Sequence, residues 1–493
     1  TVPASCLWTL TFPRAALLRH LAFKFTQRLD ESENIIHTLI NPRLSCCRYT
    51  SELRATVSEL VIVANEAHYA LANLKSWLQP EYVSKNLVDT CYVRREPLGV
   101  ALIIGPWNYP IHLLLLPLVG AIAAGNCVVI KPSEVTASVE AMFFLLMTAG
   151  LFTVVCGGAE ETTELLKHKF DHIFYTGEQQ SDLFTSLFGT VIIRAGYTGR
   201  EDPLFLYGNL SMADTARRLA WSKFFNVGQS CVAPDYVLCT KKMRDVLVPA
   251  LKEVLQEFYG DEPQKSPDLP RIVSPKHWSR LMGLLGRSKG TVVLGGESDE
   301  ADKYIAPTVL VDVPEDDALM QEEIFGPILP ILTVETLEEG INFINQRDKP
   351  LALYLFSDVA SVRAETSSGA FVSNDGIIYM TLPSLPFGGV GASGFGNYHG
   401  RWGFETFSHR RAVMLRGWAL ERLNAMRYPP YNDTNLSWLR WSASPRLCSI
   451  LPGTFWSIQG TRTCGKISRL CQTRYKTLLL QSLLTVSTIQ QTG

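Results

Sequence analysis

The chain is expected to be an α/β protein with two parallel-sheet domains in series. Apolar runs of four or five residues alternate with helix-length segments, the mark of a parallel sheet covered on both faces. The alternation occurs twice, on either side of Gly208. At 493 residues the chain is also too long for one compact core.

Taken in order, residues 17–78 place apolar side chains at helical steps through Leu60, Val63, Ala64, Ala67, Leu71 and Leu74. A strand at 90–95 and the run 99–104 follow, then strands at 127–130, 153–156 and 172–175 with helices at 135–149 and 160–167 between them. The second series has a helix at 213–226, a strand at 236–239 and a helix at 243–258. Strands at 291–294, 328–333 and 352–356, with a helix at 337–345, complete it. Residues 385–407, rich in Gly and aromatics, read as a long ordered loop, and the alternation ends past Tyr431.

Hydrophobic residues make up 46% of the chain and charged residues 19%, which rules out wholesale disorder. The net charge of -1 supplies no global field toward nucleic acid or an anionic membrane. Eleven scattered cysteines without a CxxC pair fit free thiols in a reducing compartment, so a cytoplasmic location is expected and a metal site is not. The apolar stretch 101–130 is broken by Pro106, Pro110 and Pro117, and no proline-free piece reaches the ~20 residues of a spanning helix. It is expected to be a buried helix between two strands. No basic residue precedes the apolar segment 4–12, so a signal peptide is not expected.

Three features bear on chemistry. Gly389-Val-Gly-Ala-Ser-Gly394 fits GxGxxG, but no strand precedes it and no helix opens after it, so it reads as a tight loop. Asn108, in Gly105-Pro-Trp-Asn-Tyr-Pro110, follows the strand 99–104, where a parallel sheet forms its ligand crevice. Its amide can donate to a developing oxyanion; alone, the commoner role of such an Asn is to satisfy turn backbone. Cys231, in Phe225-Asn-Val-Gly-Gln-Ser-Cys231, lies between a helix and a strand after Gly228. A thiol exposed there would have a lowered pKa and act as a nucleophile, although a lone cysteine is more often a small core hydrophobe.

Together with Lys131-Pro-Ser-Glu134, Phe174-Tyr-Thr-Gly177, Glu322-Glu-Ile-Phe-Gly-Pro327 and Leu385-Pro-Phe-Gly-Gly-Val-Gly391, these motifs stand in the order and spacing of the aldehyde dehydrogenase superfamily. Through Leu74-Lys-Ser-Trp-Leu78, Phe404-Glu-Thr-Phe-Ser-His409 and Arg427-Tyr-Pro-Pro430 the chain resembles its class 3 branch, over residues 14–431. The resemblance implies two Rossmann-like domains plus a small bridging β-element. The cofactor-binding domain would span 14–207, with a bridging hairpin at about 88–98, and the catalytic domain 208–384. Residues 385–431 would bridge and dimerise, leaving 432–493 as a weakly structured tail.

By the same resemblance, Cys231 would attack a small apolar aldehyde while Asn108 and the Cys231 amide hold the oxyanion. NAD or NADP would accept the hydride. Lys131 and Glu134 would meet the adenosine ribose, Gly177 the diphosphate region, and Glu323 with Phe325 the nicotinamide ribose and ring. A homodimer is implied as well.

The chain departs from the family at four places. Tyr197 stands where the family has its general-base Glu, and a phenol of pKa about 10 is a poor base. Glu178-Gln-Gln-Ser-Asp182 brings negative charge to the diphosphate. The helix region 356–366 is shorter. Cys448-Ser-Ile-Leu451 has the form of a prenylation box that works only at a C-terminus, so peripheral membrane association is expected for a form ending at Leu451. Oxidation to the acid with impaired deacylation is the first reading. A catalytically silent dimer partner is the alternative, and a cofactor-independent cysteine esterase the third.

Overall fold

The computed structural model describes residues 56–83, 89–147, 152–177, 190–194, 201–357, 361–418 and 421–442. The chain divides into a unit of residues 1–81 with 92–412 and a smaller unit of 82–91 with 413–493. A π-helical turn, Thr56–Val61, leads into helix α1 (Ile62–Trp77). Strands β1 (Glu81–Tyr82), β2 (Asp89–Pro97) and β3 (Val100–Ile104) precede helix α2 (His112–Ala124) and β4 (Cys127–Lys131). Next come α3 (Ala137–Met147), β5 (Thr153–Val154), α4 (Ala159–Leu166), β6 (His172–Gly177) and β7 (Thr190–Arg194).

The second series opens with β8 (Pro203–Leu206), α5 (Met212–Phe224), β9 (Tyr236–Cys239), α6 (Lys241–Tyr259) and α7 (Pro275–Arg287). It continues with β10 (Thr291–Leu294), the short pair β11 (Ser298–Asp299) and β12 (Tyr304–Ile305), β13 (Thr308–Val311) and β14 (Ile328–Thr333). Helix α8 (Leu337–Gln346), β15 (Ala352–Phe356), α9 (Ser361–Glu365) and β16 (Ala370–Ser373) follow. Strand β17 (Gly394–Phe395), helix α10 (Gly400–Thr406) and β18 (Ser408–Arg416) come last in this series. The smaller unit contains α11 (Glu421–Asn424) and α12 (Asp433–Ser442), and an Arg416–Asp89 ion pair at 3.5 Å.

Two large sheets carry the architecture, as the alternation predicts. One has the order β17-β7-β6-β3-β4-β5 and the other β10-β13-β14-β9-β8-β15-β16. Every pairing from β7 to β5 and from β13 to β16 is parallel. Only the margins are antiparallel, where β17 meets β7 and β10 meets β13. A third sheet takes the order β1-β2-β18. Register aligns Ile104 with Lys131 on one side and Tyr175 on the other, so the carboxyl ends of β3, β4 and β6 lie level.

The apolar stretch that resembles a membrane span is α2, and all thirteen of its residues are buried. A helix apolar on every face belongs inside a large protein or a bilayer; here β3 and β4 flank it in sequence, and it lies in the main core. Gly125, at φ 96°, ends the helix in the left-handed region that favours glycine. At its other end, Glu59 accepts from the amides of Ile111 at 3.1 Å and His112 at 2.6 Å, which satisfies donors that a helix start leaves open. Among the described residues no helix is long and apolar enough to cross a membrane.

Two expectations need correction, and a third holds. Residues 385–407 are not one loop, because β17 and α10 form within them. The segment after Tyr431 begins with the helix α12 before leaving the described residues, so its first turns are not tail-like. The GxGxxG stretch, as its context requires, forms a 3-10 turn at Gly391–Ser393 with no helix behind it.

Candidate active site

Asn108 leaves the end of β3 in a loop held at both ends. The Gly105 amide donates to Lys131 O at 3.1 Å, and a Cβ at Gly105 would lie 2.6 Å from Leu114 Cγ. Glu59 fixes the other end, at the start of α2. Thus placed, Asn108 Nδ2 donates to Gln229 O at 3.2 Å, and Asn226 Nδ2 donates to Asn108 O at 3.4 Å. A side-chain amide has two N–H donors, so one holds the loop of Cys231 and the other can serve an oxyanion.

The cysteine loop is shaped by its backbone. After α5, Val227 and Gly228 take φ values of 45° and 73°, and a Cβ at Gly228 would lie 2.0 Å from Gly326 O. The segment Glu322-Glu-Ile-Phe-Gly-Pro327 therefore touches the Cys231 loop main chain to main chain. Gln229, itself buried, donates to Arg271 O at 3.1 Å and accepts from the Val273 amide at 2.9 Å. Tyr354 Oη donates to Val232 O at 2.6 Å. Cys231 is a thiol rather than half of a disulfide, and is 8% exposed.

The residues expected to hold a cofactor fall in two groups. Lys131, Glu134 and Gly177 sit at or just past the carboxyl ends of β4 and β6, on either side of β3. The buried Lys131 ammonium donates to Pro132 O at 2.9 Å and lies 3.5 Å from Glu134 Oε2. A cation beside a half-exposed carboxylate fits vicinal sugar hydroxyls, which need both a donor and an acceptor. Glu323 and Phe325 form the second group, against the Cys231 loop. Trp107, next to Asn108, meets the Phe325 ring edge-on at 5.3 Å and 81°. This donor set and aromatic wall fit a dinucleotide. Tyr197 and Glu178 lie outside the described residues.

Three buried ionisable groups, Lys223, Asp235 and Glu201, escaped the motif reading. Lys223 is wholly buried at the end of α5, and burial pushes its ammonium down to about 8, against the pull of the Asp235 and Glu323 carboxylates. Burial raises the Asp235 carboxyl, while Lys223 and the amides of Asp202 and Ile324 favour its ionised form. Glu201, just ahead of β8, is buried 3.9 Å from Arg347, and desolvation holds its carboxyl well above the usual range. Nothing local marks Lys223, which reads as an ordinary last-turn lysine on an amphipathic helix.

Three buried phenols, Tyr354, Tyr379 and Tyr398, lie close enough to the thiol to feel its charge, and two imidazoles are buried as well. His112 and His399 are pushed down to about 4 and about 3 by burial. The rings of Tyr379, Phe387, Tyr398 and His399 form a contiguous cluster with centroids 4.5–5.9 Å apart.

The loop that carries Cys231, on one parallel sheet, is hydrogen-bonded by the side-chain amide of Asn108 from the crevice loop of another, an arrangement with room for a cysteine nucleophile beside a nucleotide site. Residues 13–413 match the profile described as the aldehyde dehydrogenase family. The chain belongs to that family, whose members oxidise aldehydes with NAD or NADP, and is an enzyme of that type. It is 47% identical over 443 residues to aldehyde dehydrogenase family 3 member B3 of Mus musculus, covering 86% of this chain and 90% of the relative. Member B1 of Mus musculus is 50% identical over 421 residues, 81% of this chain and 88% of the relative. These relatives bear out the class 3 resemblance. Among solved structures, the substrate-bound state of Staphylococcus aureus AldH superposes with a TM-score of 0.81 at 36% identity, covering 89% of this chain and 97% of that one.

Proposed function

We propose that Cys231 carries the oxidation of an apolar aldehyde to its carboxylic acid, and that release of the acid is the weak step. The observation that carries this reading is the hydrogen bond from Asn108 to the Cys231 loop, made while Gly326 packs on Gly228 of the same loop. One main-chain scaffold thus supports nucleophile, oxyanion donor and the Glu323–Phe325 segment.

In this reading the Cys231 thiolate adds to the aldehyde carbon, forming a C–S bond, and the carbonyl oxygen becomes an alkoxide facing Asn108 Nδ2 and the Cys231 amide. Lys131 and Glu134 would hold the adenosine ribose, Glu323 and Phe325 the nicotinamide riboside. The bound cofactor supplies a two-electron acceptor for the hydride on that carbon. A thioester on Cys231 is left, and water must cleave its C–S bond to free the acid and return the thiol. Tyr197 in the family's base position cannot take the water's proton at neutral pH, and loss of a positioned base costs about 10²–10⁴-fold. The aromatic cluster around Tyr379 and Phe387 supports apolar substrates, the scattered cysteines without a CxxC pair support a cytoplasmic location, and a homodimer belongs to the same reading.

Mixing purified chain with an aliphatic or aromatic aldehyde and NAD should give a burst of NADH of one equivalent per thiol, followed by slow turnover. Cys231→Ala should abolish both phases. Sustained turnover without a burst would remove the deacylation defect. Absence of NADH together with absent NAD binding by calorimetry favours the silent-relative reading, which the Tyr197 and Glu178 departures motivate.

A further inference from the structure

Charged side chains outside every motif converge on the link between Glu323 and Phe325. From α7, Arg280 Nη2 donates to Ile324 O at 2.6 Å, and Nη1 donates to Glu323 O at 3.5 Å and Glu322 Oε1 at 3.0 Å. On the amide side, Ile324 N donates to Asp235 Oδ1 at 3.1 Å. The peptide units on both sides of Ile324 are therefore gripped by side chains. Phe325 then takes φ 50°, in the left-handed region that strains an aromatic residue. Such a conformation persists only where its surroundings over-determine it.

The same face of α7 reaches the ring of Phe325 by a second route. His277, three residues before Arg280 and so on the same helical face, packs at 5.1 Å against Trp107. Trp107 in turn abuts Phe325 at 5.3 Å. One helix thus constrains both the main chain before Phe325 and the aromatic wall beside its ring.

We propose that Arg280 is a positioning residue for the oxidation step, presenting Glu323 and Phe325 in the conformation that holds the nicotinamide riboside over the substrate carbon. This rests on the function proposed above, in which those two residues take the cofactor. The fork of a guanidinium can hold two carbonyls and a carboxylate at once, whereas a lysine ammonium is a compact point charge. Misplacing reacting atoms by 1 Å can cost on the order of 10²-fold in rate, so a relaxed Ile324 peptide should be read out in hydride transfer.

The test compares full-length wild type with Arg280→Lys and Arg280→Met. It measures the NADH burst rate with protonated and C1-deuterated aldehyde, NAD affinity by calorimetry, and iodoacetamide alkylation of Cys231. Arg280→Lys is expected to slow the burst by about 10–100-fold, to raise the deuterium isotope effect on it, and to weaken NAD several-fold. Its thiol alkylation rate should stay within twofold of wild type. Arg280→Met should do the same more strongly; if it does not fold, Arg280→Lys decides alone. A folded Arg280→Lys with wild-type burst rate and isotope effect overturns the proposal. So does a variant of either kind that loses stability and alkylation together with no change in isotope effect, since that marks a merely structural arginine. Failure of wild type itself to bind NAD or give a burst refutes the proposed function instead, and is seen before any variant is compared.

Discussion

Lys223 shows how much of the site depends on residues that no motif marks. Its ammonium is wholly buried and meets no hydrogen-bond acceptor among the described residues, and what keeps it charged is the field of Asp235 and Glu323. Removing one member of a buried charge cluster leaves the others uncompensated, at a typical cost of about 3–5 kcal/mol. Lys223→Met should therefore lower the unfolding free energy from urea titration at pH 7 by that much, and with it the midpoint, although methionine fills a similar volume. An unchanged midpoint would show that the charge is not paired. Cys231 and Asn108 were legible because each stands in a Gly- or Pro-bearing loop after a periodic element, where a reactive group is presented. Lys223, Asp235 and Arg280 were not, since what they do comes from tertiary contacts.

At the scale of elements, the crossing of α2 and α10 depends on two glycines used unequally. A Cβ at Gly120 would lie 2.8 Å from the Gly403 carbonyl carbon, whereas a Cβ at Gly403 would lie 3.6 Å from Gly120 Cα, an ordinary contact. Gly120→Ala should cost about 1–3 kcal/mol through overpacking. Gly403→Ala should be neutral or stabilising by up to about 1 kcal/mol, because alanine favours a helix. Thermal unfolding of the pair checks the asymmetry; equal effects would contradict it.

The strands at 236–239, 291–294, 328–333 and 352–356 were legible residue for residue, because each is a short apolar run bounded by polar or turn residues. Less visible were β13 and β16, four residues each, the first following another strand and the second a helix of only five residues, and the antiparallel margins, since direction is not written in composition. Helix α12 was missed because its pattern, Asp433–Ser442, lies beyond the last βα repeat.

Across the molecule, buried histidines govern acid stability. His112, His172 and His399 are buried, and desolvation lowers the first two from 6.5 to about 4 and His399 to about 3. The unfolded chain then binds protons that the fold excludes, so this stability is fully present above about pH 6.5 and is lost as pH falls toward 4. Glu59 and Glu66 act with the opposite sign. Burial raises them from 4.5 to about 8 and about 7, so the fold gives up stability as pH rises through those windows. His172, whose ring packs on Phe407 at 4.9 Å, isolates the first effect. His172→Leu should shrink the difference in unfolding free energy between pH 7 and pH 4.5 by on the order of 2 kcal/mol. Urea titrations at the two pH values measure it, and an undiminished difference would locate acid sensitivity elsewhere.

The contact of Gly228 with Gly326 has a consequence for how this enzyme can diversify. Where two stretches of polypeptide rest on each other without intervening side chains, the spacing between sulfur and nicotinamide that the proposed function requires is inherited from the skeleton itself. Residues around the aldehyde can then drift toward new substrates while that spacing stays constant, and a change at either glycine would disturb it.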